Sequence, residues 1–422
     1  MVRLAHVSDT QLGKRPRNTR PGIIRQEIRA VEDDFYNVWK GFVDDVVDGR
    51  IKVDAILHSG DFFDTPCGYD PNPPPEYSRR VVAETLRSLD EAEIPLFVID
   101  GNHGRYMEYR SSTLSEYTAI FPNFHAFTYY NLRDSIRDQK PLYKDVKSLN
   151  LRVLAHPFIE SKTLDNLNLR PIYDAWVKVQ NSSISDDSVN VALVHGMTLD
   201  GSLHPSILNA DYDYVALGHD HRMHRVNDKA WCAGSMERWD ISEVSQEKGY
   251  LLVEMERGSA YPRITPGRLN LPRPAYDLEI ELHEGATSTT IINDVKAALD
   301  EKSLHVKYHY DTAARVRIRL IGPGLSRNIY NVSEAQAFLN RLVLSGDEYN
   351  VVEFLLTTEQ LLKTEEAKIG EVVPDVEFLI EDPAAEFKAY LTKERKDALQ
   401  KEGLDPDLLA RIFAETLEGV KK

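Results

Sequence analysis

Short apolar runs recur along the first 270 residues, and each stops abruptly in polar, metal-capable side chains. Leu4-Ala5-His6-Val7 runs into Ser8-Asp9, Val53-Asp54-Ala55-Ile56-Leu57 into His58-Ser59-Gly60-Asp61, and Pro95-Leu96-Phe97-Val98-Ile99 into Asp100-Gly101-Asn102-His103. Further on, Val189-Asn190-Val191-Ala192-Leu193-Val194 ends in His195-Gly196, and Tyr214-Val215-Ala216-Leu217 in Gly218-His219-Asp220-His221. Runs this short and continuous predict strands covered on both faces. Between the early ones, helical spacing of apolar positions predicts helices over 33–47 and 77–92. Strand alternating with helix predicts an α/β fold, in which the chemistry gathers where the strands end.

A second segment begins near Arg273. Residues 276–282 alternate as a half-exposed strand does, 288–299 read as an amphipathic helix opened by Ser and Thr, and 315–321 alternate again before Gly322-Pro323-Gly324. A helix over 333–344 and a strand over 349–356 follow, so the segment is expected to be a small, separate α/β domain. In the alternating run, Arg315, Arg317 and Arg319 share one face, read as the wet face of the strand in preference to a DNA contact. Residues 363–375 are polar and hold a Pro, the composition of a linker. Asp382-Pro383 then opens a helix to about 400, Gly403 breaks it, and Asp405-Pro406 starts another to 417. The pair reads as a docking element or as a tail packed on its own chain.

Bulk properties narrow the function class. At 422 residues, two or three domains are expected. The composition, 42% hydrophobic and 28% charged, is that of a globular protein. No apolar run is long enough to cross a bilayer, and the first residues lack a signal peptide's apolar stretch. Only Cys67 and Cys232 are present, too few for a disulfide framework, and a reducing cytoplasm is the expected compartment. A formal net charge of −16 argues against coating nucleic acid by charge alone. It leaves room for an enzyme that meets nucleic acid through a local basic surface, a metal pair or a basic partner.

The chemistry lies in the polar residues that close the strands. Asp9 and Gln11 stand two apart after the first, Asp61 follows the second, and Asn102 and His103 the third. His195 closes a later strand, and His219 and His221 frame the last. Imidazole, carboxylate and amide without thiolate suit Mn²⁺, Fe²⁺ or Zn²⁺, with Mn²⁺ or Mg²⁺ fitting phosphate chemistry. One Asp can bridge two cations, and a pair roughly 3.5–4 Å apart clamps a phosphate and activates water. A lone Gly-Asn-His is usually a turn, and a lone Gly-His-X-His a loop. Five such endings in order, each closing a buried run, are hard to explain as unrelated turns.

In this order, Asp-X-Gln, Gly-Asp, Gly-Asn-His, Val-His-Gly and Gly-His-X-His, the chain resembles the calcineurin-like metallophosphoesterase superfamily. Within it, the chain is most similar to the SbcD/Mre type of DNA double-strand-break repair nuclease. The residues that carry this are Leu4 to Asp9 with Leu12-Gly13, Leu57 to Asp64, and Gly234-Ser235-Met236-Glu237-Arg238 with Glu247-Lys248-Gly249-Tyr250. The resemblance implies a four-layer sandwich over 1–270, with two mixed β-sheets flanked by helices. It implies a small α/β capping, DNA-binding domain over 271–362, a linker over 363–378, and a helical element over 379–422. That element would dock an SMC-like ATPase of the SbcC/Rad type. A homodimer and a DNA substrate follow from the same resemblance, and the cytoplasmic location expected from the cysteines would be nucleoid-associated in a prokaryote.

Carried over by position, it implies Asp9, Gln11, Asp61 and His221 around one metal ion, most readily Mn²⁺. Asp61, Asn102, His195 and His219 surround the other, with Asp61 bridging. His103 positions the scissile phosphate or protonates the leaving oxygen. The chain departs from the family at Gln11, where His is usual, and at Gly104, where an acidic residue is common. An amide oxygen is a weaker donor than imidazole, and Gly104 removes a partner that would orient His103. Alternatives are a stand-alone phosphodiesterase or phosphatase on small nucleotides, and a nuclease-derived scaffold that binds DNA. Arg15, Arg17 and Arg20, just after the first metal loop, are candidate phosphate contacts. His6 and His58, inside or beside strand runs, are read as packing or supporting residues.

Overall fold

The computed structural model describes residues 1–14, 27–64, 73–103, 112–256, 259–283, 285–322 and 329–358, all within one compact unit spanning 1–360. The expected linker and C-terminal helical element lie outside the described residues, as do Arg15, Arg17, Arg20 and Gly104. In chain order the strands are β1 (Val2–Val7), β2 (Ala55–His58), β3 (Leu96–Ile99), β4 (Phe124–Phe127), β5 (Tyr143–Val146), β6 (Leu151–His156), β7 (Val189–His195) and β8 (Tyr214–Gly218). There follow β9 (His224–Arg225), β10 (Ala230–Cys232), β11 (Gly249–Met255), β12 (Arg263–Arg268), β13 (Ala275–Glu281), β14 (Ala314–Ile321) and β15 (Val351–Thr358).

Two six-stranded mixed sheets result, in the orders β12-β11-β1-β2-β3-β4 and β5-β6-β7-β8-β10-β9. In the first, β1 to β4 run parallel, and β11 and β12 pair antiparallel at one side. In the second, β6, β7, β8 and β10 are parallel.

The continuity of the apolar runs follows from burial on both sides. Leu4, Leu57, Phe97 and Ile99 face the second sheet and pack with Val153, Val191, Leu193 and Ala216. Their strand neighbours Ala5, Val7, Ile56 and Val98 point the other way, into a layer built on Trp39, Phe42, Val81 and Leu86. Leu154, Val194 and Leu217 do the same on the far side against Trp176 and Val177. Layers of helix, sheet, sheet and helix are therefore held by three apolar seams, each full side chain contributing about 1.5–3 kcal/mol. The helix Glu76–Glu91 illustrates the outer layers: Ser78, Val81, Val82, Thr85, Leu86 and Leu89 form its buried stripe. Trp39, on the neighbouring helix Glu27–Val47, donates its indole N–H to Thr85 Oγ1 of this stripe at 2.9 Å, so its buried polar group is satisfied.

The segment after Arg273 folds as a parallel three-stranded sheet, β13-β14-β15, with the helices Ser288–Glu301 and Ile329–Val343 between its strands. Thr287 caps the first, accepting from Thr290 N at 3.2 Å. Val316, Ile318 and Leu320 pack with Val295, Leu299 and Leu339 in a core of their own. At the other end of the strands, Ala313 and Val352 belong to the layer around Trp39. Among the described residues no helix is long and apolar enough to cross a membrane.

The arginine face of β14 corrects the expectation of a solvated surface. Arg315 is fully buried and pairs with Glu353 at 2.7 Å, while Arg319 pairs with Asp277 at 2.9 Å and Glu279 at 3.0 Å. Alternation in the sequence separates the two faces of a strand, but it does not reveal acids brought from other strands to cover the polar one.

Arg273 joins this segment to the first helical layer. It donates to Asp34 Oδ2 at 2.6 Å and to Ala30 O at 3.0 Å, and both charged side chains are buried. Removing one partner strands the other charge. Arg273→Met is expected to lower unfolding free energy by about 3–5 kcal/mol. Adding Asp34→Asn is expected to restore most of the loss, and urea unfolding of the single and double variants checks this.

Candidate metal centre

Backbone pairing continues beyond β1 and β2 and carries the first two loops together. Asp9 N donates to Gly60 O, Gln11 N to Asp61 O and Leu12 N to Phe62 O, each at 3.0 Å. The loops turn by placing non-glycine residues in the left-handed region: Asp9 and Gln11 at φ 49°, Asp61 at φ 53° and His219 at φ 87°. Such conformations cost roughly 1–2 kcal/mol each and concentrate at functional sites. Two glycines are required by close approach. A Cβ on Gly60 would lie 2.2 Å from His195 Nδ1, and one on Gly101 would lie 2.0 Å from Asp61 Oδ1.

These turns gather the strand-end residues from both sheets at one place. Ligand-capable atoms of Asp9, Asp61 and His195, all buried, lie within 4.8 Å of one another. Asn102 Oδ1 faces His195 Nε2 at 2.9 Å and His219 Nδ1 at 2.8 Å. His195 Nε2 is also 3.5 Å from Asp61 Oδ2, and His221 Nε2 is 3.6 Å from Asp9 Oδ1. Gln11 Nε2 donates to Asp61 Oδ2 at 3.1 Å. All seven candidate ligands named from the sequence are thus brought together.

Each histidine has its outer nitrogen engaged. His195 Nδ1 meets Ser59 O at 2.7 Å, His219 Nε2 meets Asp200 Oδ2 at 2.9 Å, and His221 Nδ1 meets Glu243 Oε1 at 2.7 Å. With these positions protonated, the inner lone pairs point at the shared space, which is the arrangement that orients imidazole toward a cation. Lys248 Nζ braces Glu243 Oε2 and Ser235 Oγ, both at 2.7 Å. Burial raises Glu243, but His221 and Lys248 outweigh it and bring its pKa down to about 2.

The electrostatics favour positive charge here. Burial disfavours a charged His195, yet Asp61 and Asp9 push its pKa up to about 9. Burial likewise opposes ionisation of Asp61, while His195 and His103 leave it below the usual carboxylate range. Asp9 Oδ1 and Gln11 Oε1 are buried with no hydrogen-bond partner among the described residues. Buried polar atoms without partners are uncommon and mark a place for a ligand or ion. Oxygen and imidazole donors, no thiolate, and two waiting oxygens fit a divalent cation pair.

His103 sits beside the donor set. Its backbone N–H donates to Asp61 Oδ1 at 2.8 Å, and its Nδ1 lies 3.1 Å from Asp64 Oδ1. Burial would lower its pKa, but Asp64 and Asp61 leave the imidazole above the usual histidine range. Asp64 therefore orients His103, the role that the glycine at 104 leaves open. His6 contacts Tyr214 Oη at 2.7 Å and Ser59 Oγ at 2.9 Å, and His58 contacts Thr10 Oγ1 at 3.0 Å. Burial brings both down to about 3, so they are neutral supports of the loops, as their places in the strand pattern imply.

Asp200 and Glu243 escaped the sequence pattern. Asp200 shares the loop of His195, five residues on, which is a usable signal. Glu243 lies in a 3₁₀ turn (Ile241–Glu243) with no spacing relation to His221.

The model of the calcineurin-like phosphoesterase family matches residues 2–223, more than half of the chain. The DNA double-strand break repair protein Mre11 of Sulfurisphaera tokodaii is 33% identical over 121 residues, 29% of this chain and 25% of that protein. The chain thus spans about a quarter of the length of that relative. The SbcD component of the SbcCD nuclease of Bacillus subtilis is 26% identical over 290 residues, 61% of this chain and 67% of the relative. Its counterpart in Staphylococcus epidermidis is 23% identical over 408 residues, 87% of this chain and 97% of the relative. The match of family model to fold, together with the strand-end residues it spans, establishes that this chain belongs to the calcineurin-like phosphoesterases.

Proposed function

We propose that this chain is a metal-dependent DNA phosphodiesterase, the nuclease subunit of a double-strand-break repair complex. The observation that carries it is the convergence on Asp61. Gln11 approaches one oxygen and the His103 backbone N–H the other, while His195 and Asn102 close the adjoining side. Asp9, Gln11, Asp61 and His221 would hold one cation, and Asp61, Asn102, His195 and His219 a second. Mn²⁺ is the proposed ion, with Mg²⁺ the alternative. Such a pair, when bound, polarises the phosphate and makes water nucleophilic near neutral pH.

The protein's own groups do the rest. The Ser59, Asp200 and Glu243 oxygens keep the three imidazoles in the tautomer that presents an inner lone pair. His103, which Asp64 and Asp61 hold above the usual histidine range against the opposing effect of burial, donates a proton to the departing oxygen. The names of the relatives support DNA repair as the setting and a multi-subunit nuclease as the assembly. By extension, DNA, an SMC-like ATPase of the SbcC/Rad type and a second copy of the chain are the proposed partners. Residues 1–270 are the proposed nuclease domain, 271–362 the capping, DNA-binding domain, and 379–422 the docking element.

With Mn²⁺, linear or hairpin DNA is expected to be cut far faster than a small phosphodiester. The reverse preference would favour a small-nucleotide enzyme, and DNA binding without cleavage a scaffold. His103→Ala is expected to lower kcat by roughly 10²–10⁴-fold while calorimetric Mn²⁺ affinity is retained. Loss of metal binding would instead make His103 a ligand. Gln11→His is expected to raise Mn²⁺ affinity about tenfold, ~1.4 kcal/mol, in a metal titration. Glu243→Gln is expected to weaken it by roughly 10–100-fold, measured in the same way.

A further inference from the structure

Trp239 belongs to neither donor set, yet the groups that orient the centre converge on it. Its indole Nε1 donates to Asp64 Oδ1 at 3.1 Å, the oxygen that also faces His103 Nδ1. Its backbone N–H donates to Glu243 Oε2 at 3.1 Å, and the other oxygen of Glu243 holds His221. The ring stands edge-on to His103 and His221, with centroids 5.8 Å and 5.6 Å apart. Lys14 Nζ lies 3.2 Å from the ring centroid, and 3.8 Å from Asp64 Oδ2. One residue thus touches the carboxylate behind the proposed acid and the carboxylate behind one proposed ligand.

The position of Trp239 is set from the third sheet. Arg315 Nη1 donates to the carbonyl of Arg238 at 2.7 Å, and its Nε donates to Glu353 Oε2 at 2.7 Å. Arg238 N donates to Glu237 Oε1 at 2.7 Å, and that oxygen lies 3.7 Å from Arg315 Nη1. Arg315, Glu237 and Glu353 are all at most 2% exposed. Arg238 brings the second cation, 3.5 Å from Glu237, so the cluster is charge-balanced. Burying Arg315, Glu237 and Glu353 costs several kcal/mol each before the mutual attraction of the charges, and apolar residues of equal volume often serve stability as well. What apolar residues cannot do is grip a backbone carbonyl in one register, which is what Arg315 does one residue before Trp239.

We propose that Trp239 is a positioning residue for His103, locked in place by Arg315 of the third sheet. Through it, the sheet contributes to phosphodiester hydrolysis without touching substrate. This rests on the hydrolytic role proposed above. Trp239→Phe keeps the ring beneath Lys14 and removes only the donor to Asp64. Arg315→Met with Glu353→Gln keeps volume, leaves the Glu237–Arg238 pair intact and avoids a stranded charge.

The test uses the full chain, saturating Mn²⁺ and linear duplex DNA, whose alkoxide leaving oxygen needs a proton, with thermal unfolding to confirm that each variant is folded. Trp239→Phe is expected to lower kcat roughly tenfold, with KM and calorimetric Mn²⁺ affinity changed less than about twofold. The Arg315/Glu353 pair is expected to do likewise. Combining all three substitutions is expected to lose far less than the product of the separate losses, because both act through one contact. Undiminished kcat in folded Trp239→Phe, or multiplying losses in the combination, overturns the proposal. Arg315→Lys, which retains the charge, serves should the paired variant fail to fold, with the same non-additivity expected. A second readout is independent of turnover: a crystal structure of Trp239→Phe is expected to show His103 Nδ1 moved out of hydrogen-bond reach of Asp64. An unmoved His103 overturns the proposal even if the wild-type chain fails to hydrolyse the DNA, a failure that would count against the hydrolytic role alone.

Discussion

Two buried carboxylates, Asp9 and Asp61, are held side by side with His195 in a space less than 5 Å across, and the surrounding architecture answers to that crowding. Like charges so close and so dry repel strongly unless positive charge or hydrogen-bond donors intervene. The chain supplies what it can: N–H groups from His103 and His219, the Ser8 hydroxyl, the Gln11 amide and three imidazoles. Asp61 and Asp9 raise His195 to about 9 despite its burial, so the cluster draws positive charge. A divalent pair would satisfy the same demand, and Asp9 Oδ1 and Gln11 Oε1, buried without a hydrogen-bond partner among the described residues, are the atoms that would face it.

Holding that arrangement requires rigidity from several directions. Four left-handed non-glycine residues and two glycines with no room for a side chain would relax in an isolated loop. Here the β1 and β2 pairing runs on into the loops, so strain is borne by strands that are buried on both faces. Behind the imidazoles stands a second ring of acceptors, Ser59 O, Asp200 and Glu243. Behind these come Lys248 and the turn that carries Trp239. Preorganisation of this kind lets polar groups meet developing charge without reorganising at the moment of reaction.

The third sheet has two characters. Its helical side is an ordinary apolar core, whereas its strand side is joined to the phosphoesterase body by buried charges: Arg273 with Asp34, and Arg315 with Glu237 and Glu353. A wet arginine face was a fair inference from alternation in one strand. It failed because the acids that cover the face lie 38 or more residues away in sequence. Charge pairing between distant strands has no local signature.

Much of the centre was legible in the sequence for one reason. Parallel strands buried on both faces must be continuously apolar, so each abrupt change to polar residues marks a strand end, where such folds do chemistry. That determined an α/β architecture and the strand-end residues Asp9, Gln11, Asp61, Asn102, His103, His195, His219 and His221, whereas the two-sheet sandwich was implied by the family resemblance and not by the pattern. It also separated His6 and His58, inside their strands, from the candidate ligands. The partners that orient these residues were decided only by tertiary structure. Asp200 on His219, Glu243 on His221, Asp64 on His103, and Trp239 linking the last two pairs come from loops and turns without periodicity. Spacing along the chain encodes which face a residue takes. It does not encode which of many polar side chains the packing of two sheets will bring within 3 Å.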